Sequence, residues 1–313
     1  MKPLERPASR PPPVPLSFVP PAPKPSQPSE GAPGPGPGRS IGDYIRRDRD
    51  LSEAQIDQVL AYQRANGLRF GEAAIALKLA TSDDVLWALS QQFHYPYAPS
   101  ETAPFNEELV AATDPFGDEA EAFRELRSQL MMGPLAVDQP RRALAVLSAD
   151  SGDGKTFFAA NMAISLSQLG GRTLLIDADM RTPRQHVLFG ISGAAGLSSI
   201  LSGRTESNVI HRIGELPTLY VLPVGTLPPN PLELVQRPAF GLLIQELLTK
   251  FDHVVVDTPA AAHGADARVL AARCGAAVVI GRRGRTRIKA LQSLLGALST
   301  TPVKMAGVLM NDY

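Results

Sequence analysis

The chain has 313 residues, enough for about two domains, and its 31 basic and 31 acidic side chains leave no net charge to argue for nucleic acid as a partner. A single cysteine, Cys274, excludes an internal disulfide and suits a reducing compartment, and the five histidines lack metal-ligand spacing. No apolar run approaches the ~18 residues that cross a bilayer, and the N-terminus has no apolar leader core, so the chain reads as cytoplasmic unless a partner recruits it to the inner face of a membrane.

Residues 1–38 hold 14 of the 29 prolines with glycine and serine between them. Such a segment buries too little apolar surface to fold, and is expected to be a disordered, proline-rich spacer of polyproline II character. From residue 39 to 98 the composition turns helical and repeats itself at an offset of 29 residues: Gly42 matches Gly71, Ser52 matches Thr81, Ile56 matches Val85, Leu60 matches Leu89 and Gln63 matches Gln92. Ser52 with Gln55, and Thr81 with Asp84, have the spacing of helix N-caps. A small helical domain of two similar units follows. The stretch RFGEAAIALKLATSDDVLWALSQQFHYPY resembles the N-terminal domain of type II secretion and pilus ATPases. Part of that family binds cyclic di-GMP through units opening Arg-x-Gly. Arg69-Phe70-Gly71 keeps this opening and Ser40-Ile41-Gly42 does not, so protein docking is the first expectation for the module and cyclic di-GMP the alternative.

Residues 99–117, with three prolines and little periodicity, read as a linker. In the next helix Phe123, Leu126 and Leu130 share one face, and Glu121, Arg124 and Arg127 step along its shoulder as a solvated charged surface.

The apolar run 143–147 leads into SADSGDGKT, residues 148–156, and then into an amphipathic run. Strand, glycine turn, lysine and hydroxyl at the head of a helix make a phosphate cradle. Gly152 and Gly154 let backbone N–H groups close on phosphate oxygens, Lys155 reaches the outer phosphates, and Thr156 ligates Mg²⁺. Ala149 stands where the first glycine of the usual pattern belongs. Strand candidates follow at TLLID, 220–223, 253–257, 276–280 and 304–310, with helices near 239–249, 265–272 and 288–298. This alternation predicts an α/β fold with a mostly parallel sheet, whose ligands bind beyond the carboxyl ends of the strands. Asp177, Asp179 and Asp257 all fall at such ends. Asp257, closing HVVVD, has the form of a magnesium-holding carboxylate, and Asp177 with Asp179 can orient metal-bound water or accept a hydroxyl proton.

EAFRELR, SADSGDGKT, LLIDADMRTPRQHVLFG, GLSSILSG, LYVLPVGTLPPNPLELV, FDHVVVDTP, DARVLAARC and MAGVLMND occur in the order found in bacterial tyrosine autokinases of capsule and exopolysaccharide assembly, and residues 118–313 resemble that family. The resemblance implies a P-loop NTPase fold and ATP with Mg²⁺ as cofactors. It implies nucleotide binding by Ser151, Gly152, Asp153, Gly154, Lys155, Thr156, Phe157 and Asn311. Catalysis would fall to Lys155, Asp177 and Asp179, and metal binding to Thr156, Asp177 and Asp257. It turns Glu121, Arg124 and Arg127 into a subunit-contact motif of a homo-oligomeric ring. With the helical domain in front, the arrangement is similar to kinases that work with a separate membrane chain-length determinant, or polysaccharide co-polymerase, as activator.

Two departures bear on function. The family's C-terminal tyrosine cluster is absent, leaving the terminal Tyr313 as the candidate phosphoacceptor. Asp150 occupies the position where the related partitioning and septum-positioning ATPases carry an extra lysine, which argues against the alternative of a nucleotide-dependent partner-binding switch. The basic run Arg282, Arg283, Arg285, Arg287 and Lys289 reads as a solvated loop, or else as an attractor for phosphates or acidic tails.

Overall fold

The computed structural model describes residues 41–92, 105–204 and 208–312. The expectations for the proline-rich tail and for Tyr313 lie outside the described residues. Among them, no helix is long and apolar enough to cross a membrane.

The helical part consists of α1 (Ile41–Asp48), α2 (Glu53–Asn66), α3 (Phe70–Ala76) and α4 (Ser82–Gln92). Its repeat is built into the caps. The Ser52 Oγ accepts from the Gln55 N–H at 3.3 Å while Gln55 Oε1 accepts from the Ser52 N–H at 2.9 Å. Asp84 and Thr81 exchange the same pair of bonds at the start of α4. Each box satisfies two otherwise orphaned N–H donors of a helix start. Ile45, Val59, Ala73, Ala74 and Ala88 form a fully buried core. A Cβ on Gly71 would stand 2.6 Å from Val85 Cγ1, so the repeated glycine is a close-approach point between helices.

The second part begins with α5 (Val110–Thr113) and α6 (Asp118–Met132), then runs β1 (Ala143–Ser148), α7 (Lys155–Ser167), β2 (Thr173–Asp177), α8 (Gln185–Leu188), α9 (Leu197–Leu201), β3 (His211–Arg212) and β4 (Leu219–Leu222). It continues through α10 (Pro231–Gln236), α11 (Pro238–Lys250), β5 (His253–Asp257), α12 (Asp266–Cys274), β6 (Gly275–Arg282), α13 (Ile288–Ser299) and β7 (Lys304–Asn311). The seven strands lie in the order β3-β4-β2-β5-β1-β6-β7, all parallel except β3 against β4. The period-2 alternation of β1 divides the two cores: Ala143, Ala145 and Leu147 face one cluster with Phe240 and Leu270, and Leu144 and Val146 face the other with Phe123 and Phe158. A parallel sheet covered on both faces is the α/β P-loop architecture expected.

One sequence expectation is corrected. Residues 105–117, read as linker, are part of the packed domain: Leu109 is fully buried, and Ala111 and Ala112 belong to the core beneath α7. Asn161 of α7 holds them there, its Oδ1 accepting from the Ala111 N–H at 2.9 Å and its Nδ2 donating to the Glu108 carbonyl at 2.8 Å. The short helices α5, α8, α9 and α10 and the two-residue edge strand β3 were not expected from periodicity.

Candidate nucleotide and catalytic site

The carboxyl ends of five parallel strands meet at one edge of the sheet. β1 delivers the cradle, β2 ends at Asp177, β5 ends at Asp257, β6 runs into the basic loop, and β7 ends at Asn311. The cradle turns through Gly152 (φ 83°) and Gly154 (φ 97°), a backbone that favours glycine. A Cβ on Gly154 would sit 2.3 Å from Asn311 Nδ2, which donates to the Asp153 carbonyl at 3.3 Å. Ala149 is not in the left-handed region, so the missing first glycine costs the turn nothing.

Asp153 is fully buried and pins the loop from inside: Oδ2 accepts from the Asp150 N–H at 3.0 Å, and Oδ1 accepts from the Thr286 hydroxyl at 2.8 Å. The basic run is therefore more than a solvated loop. Arg282 Nη1 donates to the Gly152 carbonyl at 3.2 Å, Arg287 Nη2 meets Asp150 Oδ1 at 3.2 Å, and the Arg285 guanidinium packs beside Gly152.

A cleft of about 610 Å³ opens over the cradle, lined by Ser151, Gly152, Gly154, Lys155, Thr156, Phe157, Asp179 and Asn311 among the expected residues. Arg282 of the basic run lines it too, as do Glu107, Glu108, Glu119, Thr182 and Arg184, which were not anticipated. Arg184 and Glu108 form a two-pronged ion pair at this rim, with Nη1 to Oε2 at 2.7 Å. Phe157 tilts against Phe123 of α6 with ring centroids 5.9 Å apart, linking the cleft to the helix that carries Glu121, Arg124 and Arg127. Of these three only Glu121 is a solvated side chain; Arg124 and Arg127 are partly buried. Arg124 donates to Glu121 Oε2 at 2.7 Å, and Arg127 Nη1 donates to the Ser165 carbonyl of α7 at 2.6 Å.

Behind the cleft lie two buried carboxylates. Asp177 Oδ1 accepts from the Asp179 N–H at 3.1 Å and Oδ2 accepts from the Arg184 and Gln185 N–H groups, both at 3.0 Å. Burial first, and then the charge of Asp257, pushes the Asp177 carboxyl well above the usual carboxylate range. Burial likewise pushes Asp257 up to about 6, against the downward pull of the Lys155 charge, the Gln185 amide and the Thr156 hydroxyl. Asp179 faces the cleft instead, its carboxylate held by the Arg181 and Thr182 N–H groups and the Thr182 hydroxyl. Arg181 reaches away to Asp266 at 2.7 Å and braces this loop against α12.

The donor set suits Mg²⁺, a cation that takes hard oxygen ligands beside phosphates. Asp257 Oδ1 is a buried carboxylate oxygen with no hydrogen-bond partner, close to the head of α7 that carries Thr156. A buried, unbonded anionic oxygen is costly unless an ion or its water shell completes it. Gln185, which was not singled out from the sequence, joins the two elements: its Nε2 donates to Asp257 Oδ2 at 2.9 Å and to the Thr156 carbonyl at 3.1 Å.

Residues 144–313 match the model of the CobQ/CobB/MinD/ParA nucleotide binding domain. The chain is 32% identical over 203 residues to the tyrosine-protein kinase YwqD of Bacillus subtilis, a match covering 65% of this chain and 85% of that one. It is 33% identical over 192 residues to the tyrosine-protein kinase ptk of Acinetobacter johnsonii, covering 61% of this chain and 26% of that much longer protein. The kinase domain of the Escherichia coli tyrosine kinase ETK superposes with a TM-score of 0.61 at 27% identity, over 71% of this chain and 91% of that domain. On these matches the chain belongs to the bacterial tyrosine-protein kinases, within the CobQ/CobB/MinD/ParA nucleotide-binding fold.

Proposed function

We propose that the chain is an ATP- and Mg²⁺-dependent protein tyrosine kinase that phosphorylates copies of itself. The observation that carries this reading is the convergence of Lys155, Thr156, Asp179 and Asn311 on one cleft, with Asp177 and Asp257 buried directly behind it. Bound Mg²⁺ supplies charge neutralisation for the phosphates, and Thr156, Asp257 and Asp177 are the residues to hold it, directly or through water. The backbone N–H groups of Ser151 to Thr156 cradle the phosphate oxygens, and Lys155 balances the charge that shifts toward the leaving phosphates. Asp179 is the proton acceptor for the incoming tyrosine hydroxyl, because it lines the cleft while Asp177 lies fully buried behind it. Tyr313 is the chain's candidate phosphoacceptor.

The same reading extends to partners. A membrane chain-length determinant of exopolysaccharide assembly serves as activator and recruits this chain to the inner face of the membrane. Glu121, Arg124 and Arg127 join protomers into a ring. The helical domain docks protein, with cyclic di-GMP as its alternative ligand. A switch ATPase of the partitioning type is disfavoured by Asp150, an anion already paired with Arg287 within the protomer.

Mass-spectrometric mapping of phosphotyrosine tests the assignment, on protein incubated with ATP, Mg²⁺ and the activator's cytoplasmic segment. Wild type should acquire phosphotyrosine and Lys155→Met should acquire none and hydrolyse no ATP. ATP turnover without phosphotyrosine would establish the switch ATPase instead, and undiminished phosphotyrosine in the variant would sink the mechanism.

A further inference from the structure

Gln185 opens α8 in a loop that folds back from β2, and it is fully buried. It touches all three motifs of the site. Its main-chain N–H donates to Asp177 Oδ2, and its side-chain Nε2 donates to both Asp257 Oδ2 and the Thr156 carbonyl. Its remaining polar atom, Oε1, is buried without a hydrogen-bond partner, as is Asp257 Oδ1. Two open acceptors thus belong to one hydrogen-bonded amide–carboxylate pair, at the place where the site would hold a cation. A buried acceptor left empty costs about 1–3 kcal/mol, so a pair of them signals something the protein binds. The hydration shell of Mg²⁺, which keeps several waters when bound to proteins, presents only donors outward and suits both.

Resting on the nucleotide-site reading above, we propose that Gln185 is the positioning residue of the Mg²⁺ site. Its Nε2 ties the Asp257 carboxylate to the first turn of α7, so that Asp257 Oδ1 and Gln185 Oε1 remain free to accept hydrogen bonds from water on the ion. The amide is suited to this because it donates on one side and accepts on the other. A carboxylate there would add a third negative charge beside Asp177 and Asp257, and an apolar side chain would leave Asp257 free to turn.

The test is the metal dependence of ADP binding by the full chain, followed by calorimetry. Gln185→Met keeps the volume and removes both polar atoms. It should bind ADP in EDTA within about twofold of wild type, while the Mg²⁺ concentration needed to tighten ADP binding rises by about tenfold or more, the size of effect expected for a group that orients a metal ligand. Mn²⁺ bound in the presence of ADP, counted by electron paramagnetic resonance, should fall in parallel. Gln185→Glu, closer in shape, should move both readouts in the same direction and serves if the methionine variant melts early. An Mg²⁺ midpoint within twofold of wild type in a folded variant overturns the proposal, and so does a wild type whose ADP affinity is indifferent to Mg²⁺. A wild type that binds Mg²⁺ and ADP together yet makes no phosphotyrosine refutes the kinase reading and leaves this assignment standing.

Discussion

Asp177 and Asp257 are register partners on neighbouring parallel strands, both fully buried at the same end of the sheet. Two carboxylates placed side by side without water resist joint ionisation. Unfolded, Asp257 ionises near the ordinary 3.8, and folded it ionises near about 6. Between these values the folded protein holds more protons than the unfolded chain, so stability falls as pH rises through the window. Asp177 is shifted in the same direction and adds to the slope. In EDTA, Asp257→Asn should therefore be more stable than wild type at pH 8, by on the order of 2 kcal/mol, and the advantage should shrink toward pH 4. Urea unfolding at several pH values measures this, and a variant no more stable than wild type at pH 8 contradicts it.

Thr286 stands at the junction of the basic loop and the cradle. Its hydroxyl accepts from the Arg282 N–H at 2.6 Å and donates to Asp153 Oδ1 at 2.8 Å. Thr286→Val keeps the shape and removes both bonds, and should lower ADP affinity about fivefold, the equivalent of one lost hydrogen bond of about 1 kcal/mol. Titration calorimetry decides, and an unchanged affinity would show that the loop does not set the cradle.

What could be read from residues alone followed how local the signal was. HVVVD and the strands at 276–280 and 304–310 are continuous apolar runs, and they appear as β5, β6 and β7 with ends displaced by at most two residues. The cradle was legible because its glycines, lysine and hydroxyl are adjacent in sequence. Leu109 to Ala112 form a single turn too short to show a period, and what pins them to the core is Asn161, 50 residues on from Ala111. Gln185 acquires its meaning only when the loop after β2 returns to meet Asp257, 72 residues later. The basic run covers the cradle because β6 pairs with β1, a neighbourhood that no spacing along the chain displays.

Asn161 offers a direct measure of that hidden packing. It is fully buried with three bonds, to the Ala111 N–H and to the Glu108 and Phe157 carbonyls. Asn161→Leu fills the space and strands a buried N–H and carbonyl groups, so it should cost about 2–4 kcal/mol. Proteolysis should then cut near residues 105–117 first. A loss below 1 kcal/mol would mean that this segment is held elsewhere.

Glu121 and Arg127 separate the folding role of α6 from its role between protomers. The Glu121 side chain is 68% exposed, and its bond is to Arg124 one turn along the same helix. Arg127 instead reaches across to the Ser165 carbonyl, capping a buried stretch of α7 with a charge-assisted bond. Arg127→Ala should therefore destabilise the isolated protomer by about 1–2 kcal/mol, through the lost bond and the lost packing of its stem. Glu121→Ala should leave protomer stability within about 0.5 kcal/mol, as expected for an exposed site. If α6 joins protomers, both substitutions should reduce the assembled fraction seen by light scattering, and Glu121→Ala should do so without lowering the melting temperature of the protomer. Full assembly in the Glu121→Ala protein would confine α6 to a structural role, with Arg127 its anchor on α7.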